Sequence, residues 1–357
     1  MTSSAKRSLC VIAGSVIAFL AAVAIRVAFA DEFELGGQKF HRVLIEESTS
    51  KAKCEAQDDR IFVETRLGTE CVAYFVTKGF EERRQAVFFF GGDASPKEFN
   101  DPAKLGADLA VQRKAMQLWA DKLRVRYVYV SRVGLQGSSG NHGQRRMPKE
   151  TFVMNAAIDI LKAKLGLDDI ALAGQSGGGT IAAALLTLGR ADVHCDVLGS
   201  GATELVDIHY EALTRAGFHP SKSTLHRKMY DPSDHLGTIA TRADRRIFAL
   251  ADRNDTVVPF KYQAQFIDEV KAAGHLAKLI EVDGQGLKHH GTEFYSLAVA
   301  GACLNEVEDK PIIDAISHGR SWGEQQQALI ALGRQYKKWK PSVGPVAALQ
   351  VKGSVAE

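Results

Sequence analysis

The sequence predicts an α/β fold, with a mostly parallel central sheet, an antiparallel N-terminal part and helices on both faces. Three observations predict it. From residue 86 onwards, short apolar runs alternate with segments of helical periodicity, the pattern of strand–helix–strand units. Ala86-Val87-Phe88-Phe89-Phe90 is apolar without a break, as a strand buried on both faces requires. Ala171-Leu172-Ala173 runs through Gly174-Gln175-Ser176-Gly177-Gly178-Gly179 into a helical pattern, so a strand and a helix meet there across a very tight turn.

The elements follow in order. Residues 1–30 stand apart from the fold: Lys6 and Arg7 precede an apolar run over 9–25, and Ala28-Phe29-Ala30 offers a small-residue cleavage site. A secretory signal cleaved after Ala30 is expected, with an uncleaved membrane anchor as the alternative. Strands rich in β-branched and aromatic residues are expected at 39–46, 60–66 and 70–77, the antiparallel opening of the sheet. Next come strand 86–90, helix 102–123, strand 126–131, a long polar loop over 132–149, helix 150–164, strand 169–173, helix 177–189 and a short strand 196–198. Residues 202–244 read as mostly helical, broken at Pro220 and Pro232, and could form a small cap. Strand 246–251, helix 260–274, strand 277–282 and helices at 292–306 and 322–336 complete one domain over 31–339. A Gly/Val/Ala/Lys-rich tail, 340–357, is expected to be flexible.

At 45% hydrophobic and 24% charged residues, the composition is that of a globular protein long enough to bury a sizeable core. Lys and Arg number 45 against 42 Asp and Glu, with no basic stripe, which argues against nucleic acid as a partner. Removal of residues 1–30 takes away Lys6, Arg7 and Arg26 and no acid, leaving 42 of each sign. Export would place the chain in the periplasm or outside the cell, where disulfides persist. Four cysteines then remain. Cys54 and Cys71 flank an expected strand and are paired on that ground, which leaves Cys195 for Cys303; four buried thiols are the alternative. No CxxC or HxxxH spacing points to a metal.

The chemistry centres on Ser176. Gly174, Ser176 and Gly178 form a Gly-x-Ser-x-Gly pattern, and a serine on such a turn has its hydroxyl held clear of the main chain. A serine needs a base to take its proton and a carboxylate to hold that base. Downstream, the strand at 246–251 runs into Asp252-Arg253-Asn254-Asp255-Thr256-Val257-Val258-Pro259. Asp255, on the outer part of that loop, is the expected acid; Asp252, nearer the strand end, is the alternate and fits a loop cap. The last strand leads to His289-His290-Gly291. Adjacent side chains in an extended segment point opposite ways, so only one histidine can face Ser176. His290 is chosen because Gly291 gives it clearance, with His289 as the alternate.

With Ser176, Asp255 and His290 in that order, the chain resembles the α/β-hydrolase superfamily over residues 86–306. The resemblance is strongest at the serine turn, the acid loop 252–259 and His289-His290-Gly291. It implies a nucleophile, acid and base in those three residues and an oxyanion hole that includes the N–H of Gly177. The second donor would come from Phe90-Gly91-Gly92-Asp93, as the N–H of Gly92 or Asp93. This loop departs from the His-Gly-Gly-Gly of many lipases and esterases. No metal and no organic cofactor is implied. The layout looks like that of esterases and prolyl-oligopeptidase-like hydrolases. It implies an exported serine hydrolase acting on a small ester, or a peptide-like amide, with membrane contact only if residues 1–30 stay attached. A non-catalytic binding protein on the same fold and an acyltransferase with the same triad are the alternatives. Arg132, Arg145 and Arg146 on the long loop are expected in surface salt bridges, with contact of Arg132 or Arg145 to an anionic substrate as the alternative. His142 lies on the same loop. His209 is expected to be a surface or structural residue.

Overall fold

The computed structural model describes residues 32–35, 38–41, 50–94 and 102–334. The proposed signal segment, the tail from 340, and parts of the strand expected at 39–46 and the helix expected at 322–336 lie outside the described residues. Strands β1 (Glu32–Leu35) and β2 (Gln38–His41) pair antiparallel as a separate ribbon. The main sheet has eight strands. They are β3 (Arg60–Thr65), β4 (Gly68–Val76), β5 (Gln85–Phe90), β6 (Arg126–Val130), β7 (Asp169–Gln175), β8 (Val193–Gly199), β9 (Arg246–Ala251) and β10 (Ala277–Glu281). Their spatial order is β10-β9-β8-β7-β5-β6-β4-β3. β3 pairs antiparallel with β4, and β4 antiparallel with β6; all other neighbours are parallel. The expected fold class is therefore present, antiparallel opening included.

Helices cover both faces. On one lie α3 (Pro148–Leu165), α4 (Gly177–Thr187) and α7 (Phe260–Ala272), whose Met154, Ile158, Ile181, Leu185 and Phe266 pack with Phe88, Phe90 and Leu172 of the sheet. On the other lie α2 (Pro102–Leu123), α8 (Glu293–Leu304), α9 (Asp309–Ile316) and α10 (Trp322–Arg334), packed on Phe89, Tyr127, Val197 and Phe248. The ends of α3 are written locally. Pro148 sits where a helix needs no N–H, and Gly166 closes the helix in the left-handed conformation, φ 66°. Val153, Ala157 and Leu161 recur every four residues and are buried.

Short helices fill the remainder: α1 (Lys51–Glu55) before β3, and α5 (Leu205–Arg215) and α6 (Lys222–Lys228) between β8 and β9. A 3₁₀ stretch, Pro232–Thr238, follows α6. Two disulfides tie the layers. Cys54 joins α1 to Cys71 of β4, and Cys195 of β8 joins Cys303 of α8. With sequence separations of 17 and 108 residues, loss of chain entropy in the unfolded state would make them worth about 3 and about 5 kcal/mol.

The loop 132–149 is not the solvated loop its polarity suggested. Arg132, Ser138, Ser139 and His142 are all buried. Ser138 and Ser139 accept hydrogen bonds from the backbone N–H groups of Ala73 and Cys71, at 2.9 and 2.7 Å. Its hydroxyls thus stand in for a strand beside β4, which is how so polar a segment can be buried.

Candidate active site

The site forms where β7 turns into α4, at the carboxyl end of the parallel strands, where open α/β sheets place their function. The turn is strained. Ser176 has φ 55° and ψ −121°, a region that costs a non-glycine residue about 1–3 kcal/mol. Its N–H donates to Gly199 O of β8 at 2.7 Å, which fixes the turn to the neighbouring strand. The flanking glycines are steric requirements: a Cβ on Gly174 would lie 2.2 Å from the backbone of Gly178, and one on Gly178 would lie 2.0 Å from Phe90 O. The second of these contacts also places the end of β5 directly against the turn.

The expected acid and base are adjacent. Asp255 Oδ2 lies 2.8 Å from His290 Nδ1. Its Oδ1 accepts from the N–H groups of Val257 and Val258 at 2.8 and 3.0 Å. The carboxylate side chain is fully enclosed. An acceptor at Nδ1 holds the imidazole with its proton on that nitrogen, so Nε2 carries the free lone pair. Nε2 is buried and has no hydrogen-bond partner. The His290 carbonyl accepts from Gln175 Nε2 at 2.9 Å, so the residue preceding Ser176 anchors the backbone of the histidine. Ser176 and His290 are not hydrogen-bonded here, as is common before substrate binds.

The alternates form a second pair. Asp252 Oδ2 lies 3.2 Å from His289 Nδ1 and also accepts from Gly284 N–H at 2.7 Å, while Oδ1 accepts from Asn254 N–H at 2.7 Å. His289 is half exposed and has φ 53°. Asp252 therefore caps both loops. The two loops are pinned further by Thr256 N–H donating to Lys288 O, and the histidine loop is closed on itself by an antiparallel bridge between Gln285 and Gly291.

The loop after β5 lies where a second oxyanion donor would be needed. A Cβ on Gly92 would sit 2.6 Å from Gln175 Oε1 and 3.4 Å from Ser176 Cβ. Gly177 opens α4 beside this loop, and the helix dipole favours negative charge at that end of the helix. Asp93 brings something the sequence reading missed. Its carboxylate oxygen lies 2.1 Å, and Arg132 Nη1 2.3 Å, from where a Cβ on Gly177 would stand.

Arg132, Arg145 and Arg146 all converge on that carboxylate, at 2.6, 3.1 and 2.6 Å. Arg132 also grips Glu150, with 2.9 and 3.2 Å contacts, and its side chain is fully enclosed. The expected surface salt bridges are thus corrected to an ion-pair cluster beside Gly177, with Arg132 wholly buried. Burial alone would raise Asp93, but Arg146, Arg132 and Arg145 outweigh it and hold its carboxyl well below the usual range. Burial, and then Arg132, push His142 well below its ordinary value. Burial, and then Arg146, push His209 down to about 4. Arg146 Nη1 lies 3.1 Å from His209 Nε2, and Tyr230 N–H donates to Arg146 O at 2.8 Å. The 202–244 segment therefore leans on this cluster. The signal was the Arg145-Arg146 pair; its focus, Asp93, lies too far away in sequence to be read as a partner.

Among the described residues, one His/Asp group could bring three ligand atoms together: His226, Asp231 and Asp234. Asp231 there is already committed to the N–H groups of Leu205 and Val206 and to Ser233. No helix of the described residues is long and apolar enough to cross a membrane.

No protein-family model and no curated protein matches this chain. Solved structures similar to it include Est1E from Butyrivibrio proteoclasticus, at 13% identity and a TM-score of 0.48, covering 70% of this chain and 98% of that one. The Pyrococcus furiosus esterase Pf2001 is similar at 14% identity and a TM-score of 0.48, over 69% and 90% of the two chains. Pyrococcus horikoshii acylaminoacyl peptidase is similar at 14% and 0.43, over 65% of this chain and 37% of that one.

Proposed function

We propose that this protein is a serine hydrolase that cleaves a carboxylic ester through a covalent acyl-enzyme. One observation carries the reading: a buried Asp255–His290 pair of 2.8 Å, with Nε2 unpaired, on loops tied to a strained serine turn. Ser176 Oγ attacks the acyl carbonyl while His290 Nε2 takes its proton. Asp255 holds the imidazole tautomer and balances the imidazolium. The oxyanion is met by the N–H of Gly177 and by the N–H of Gly92 or Asp93. Collapse of the tetrahedral intermediate expels the alcohol, protonated by His290. Water, deprotonated by the same nitrogen, then releases the acid and restores Ser176.

Ester is favoured over amide because only short helices lie between β8 and β9, and the described residues include no gating domain. The two disulfides favour export, with residues 1–30 removed and Asp31 as the mature N-terminus. The test is pre-steady-state hydrolysis of p-nitrophenyl esters of graded chain length, beside aminoacyl p-nitroanilides. A burst of one p-nitrophenol per protein, followed by slower turnover, supports the acyl-enzyme. A folded protein inert to every substrate overturns the reading.

A further inference from the structure

One side chain touches both loops that flank the serine turn. Gln175 is the last residue of β7, directly before Ser176. Its Nε2 donates to the His290 carbonyl at 2.9 Å. A carbonyl oxygen only accepts, so this contact fixes which end of the amide is the nitrogen. The other end, Oε1, faces the loop after β5, where a Cβ on Gly92 would meet it at 2.6 Å. The remaining neighbours of that Cβ, Gln175 O and Ser176 Cβ, stand at 3.4 Å, an ordinary contact. Of these atoms, then, Oε1 is the one that must give way when Gly92 moves inward or gains a side chain. The amide that carries Oε1 also carries the Nε2 that holds His290. Asp255 fixes the ring of His290 at Nδ1, whereas Gln175 holds its backbone, so ring and backbone are set by separate bonds.

We infer that Gln175 is a positioning residue: its amide couples the loop after β5, which carries the proposed second oxyanion donor, to the histidine loop, so that a displacement at Gly92 is felt at His290. The inference rests on the serine-hydrolase reading for the turnover it sets, but not for the coupling, which follows from the contacts of Gln175. Glutamine suits the position because it is neutral and offers a donor to the His290 carbonyl. A carboxylate of the same length would set an acceptor against that acceptor. The coupling joins the two parts that acyl transfer must align around Ser176, the donors for the oxyanion and the base.

Two measurements test this. The first follows the ring nitrogens of His290 by NMR in Ser176→Ala carrying isotope-labelled histidine, with the resonances assigned by their absence from Ser176→Ala/His290→Gln. Adding Gly92→Ala should shift them, and the shift should vanish when Gln175→Ala is added as well. This readout needs no turnover, so it decides the inference even if the protein proves not to be a hydrolase. The second is a double-mutant cycle on p-nitrophenyl ester hydrolysis. Gln175→Ala should lower kcat about tenfold, with KM changed far less, through loss of one hydrogen bond. Gly92→Ala, which alone should cost about 10²-fold, should cost about tenfold less in the Gln175→Ala background, because coupled sites are not additive. Gln175→Met, which keeps the bulk and loses the donor, should behave as Gln175→Ala does and replaces it if that variant fails to fold. His290 resonances that Gly92→Ala leaves unmoved, or moves equally without Gln175, overturn the inference. So do losses in kcat that simply multiply.

Discussion

Two consecutive histidines each meet an aspartate of one loop, yet the two pairs are built differently. Asp255 is fully enclosed and spends one oxygen on two backbone N–H groups and the other on His290 alone. Asp252 shares the oxygen nearest His289 with Gly284 N–H, at the longer distance of 3.2 Å, and that histidine is half exposed. An enclosed, undivided carboxylate fixes the ring and its tautomer. A shared and wetter one holds its ring less firmly, and its work is to hold loops together. The difference teaches that a His–Asp contact by itself does not identify a base. The competing bonds on the carboxylate, and the state of the other ring nitrogen, do.

Substitutions can break this contrast. His290→Gln should lower kcat by about 10⁶-fold, the scale seen when a triad histidine is lost, whereas His289→Gln should leave turnover near that of the unmodified protein. Equal losses in the two variants would remove the distinction. Asp255→Asn should cost about 10⁴-fold in kcat by freeing the wrong tautomer. Asp252→Asn should instead cost about 1 kcal/mol of stability through its loop hydrogen bonds, read in a denaturant melt. On the oxyanion side, Gly92→Ala drives a Cβ against Gln175 Oε1, and kcat should fall about 10²-fold with KM changed far less.

Much of this was legible in the sequence. The apolar run Ala86–Phe90 and the crowded glycines of the serine turn are local signals, since burial on both faces and steric contact across a turn act within a few residues. The acid loop and the histidine loop could be located because each follows a strand end. What was hidden is non-local. Asp93 and its arginines are 39 to 53 residues apart, and nothing in either stretch names the other. The start of β8, Val193-His194-Cys195, reads as polar until Cys195 is seen bonded to Cys303 and buried. Helices α1 and α9 were missed because one is too short for periodicity and the other opens on charges and Pro311.

A third carboxylate sharpens the comparison at smaller scale. Asp196 is buried like Asp255, but neither of its oxygens has a hydrogen-bond partner. Burial pushes it up to about 8, only partly offset by the charge of Arg245. Between about pH 4 and pH 8 the unfolded chain gives up this proton while the folded one keeps it, so stability falls as pH rises through that window. Asp196→Asn should flatten that part of the stability profile, measured by denaturant midpoints at pH 5 and pH 8. An unchanged slope would mean that Asp196 does not titrate as its surroundings dictate.

The most direct test of the central claim is covalent. A fluorophosphonate requires an activated serine, and the adduct can be located by peptide mass spectrometry. The account predicts one adduct per chain, on Ser176, absent in Ser176→Ala, slowed by orders of magnitude in His290→Gln and undiminished in His289→Gln. Labelling elsewhere in the chain, or labelling that survives Ser176→Ala, would contradict it.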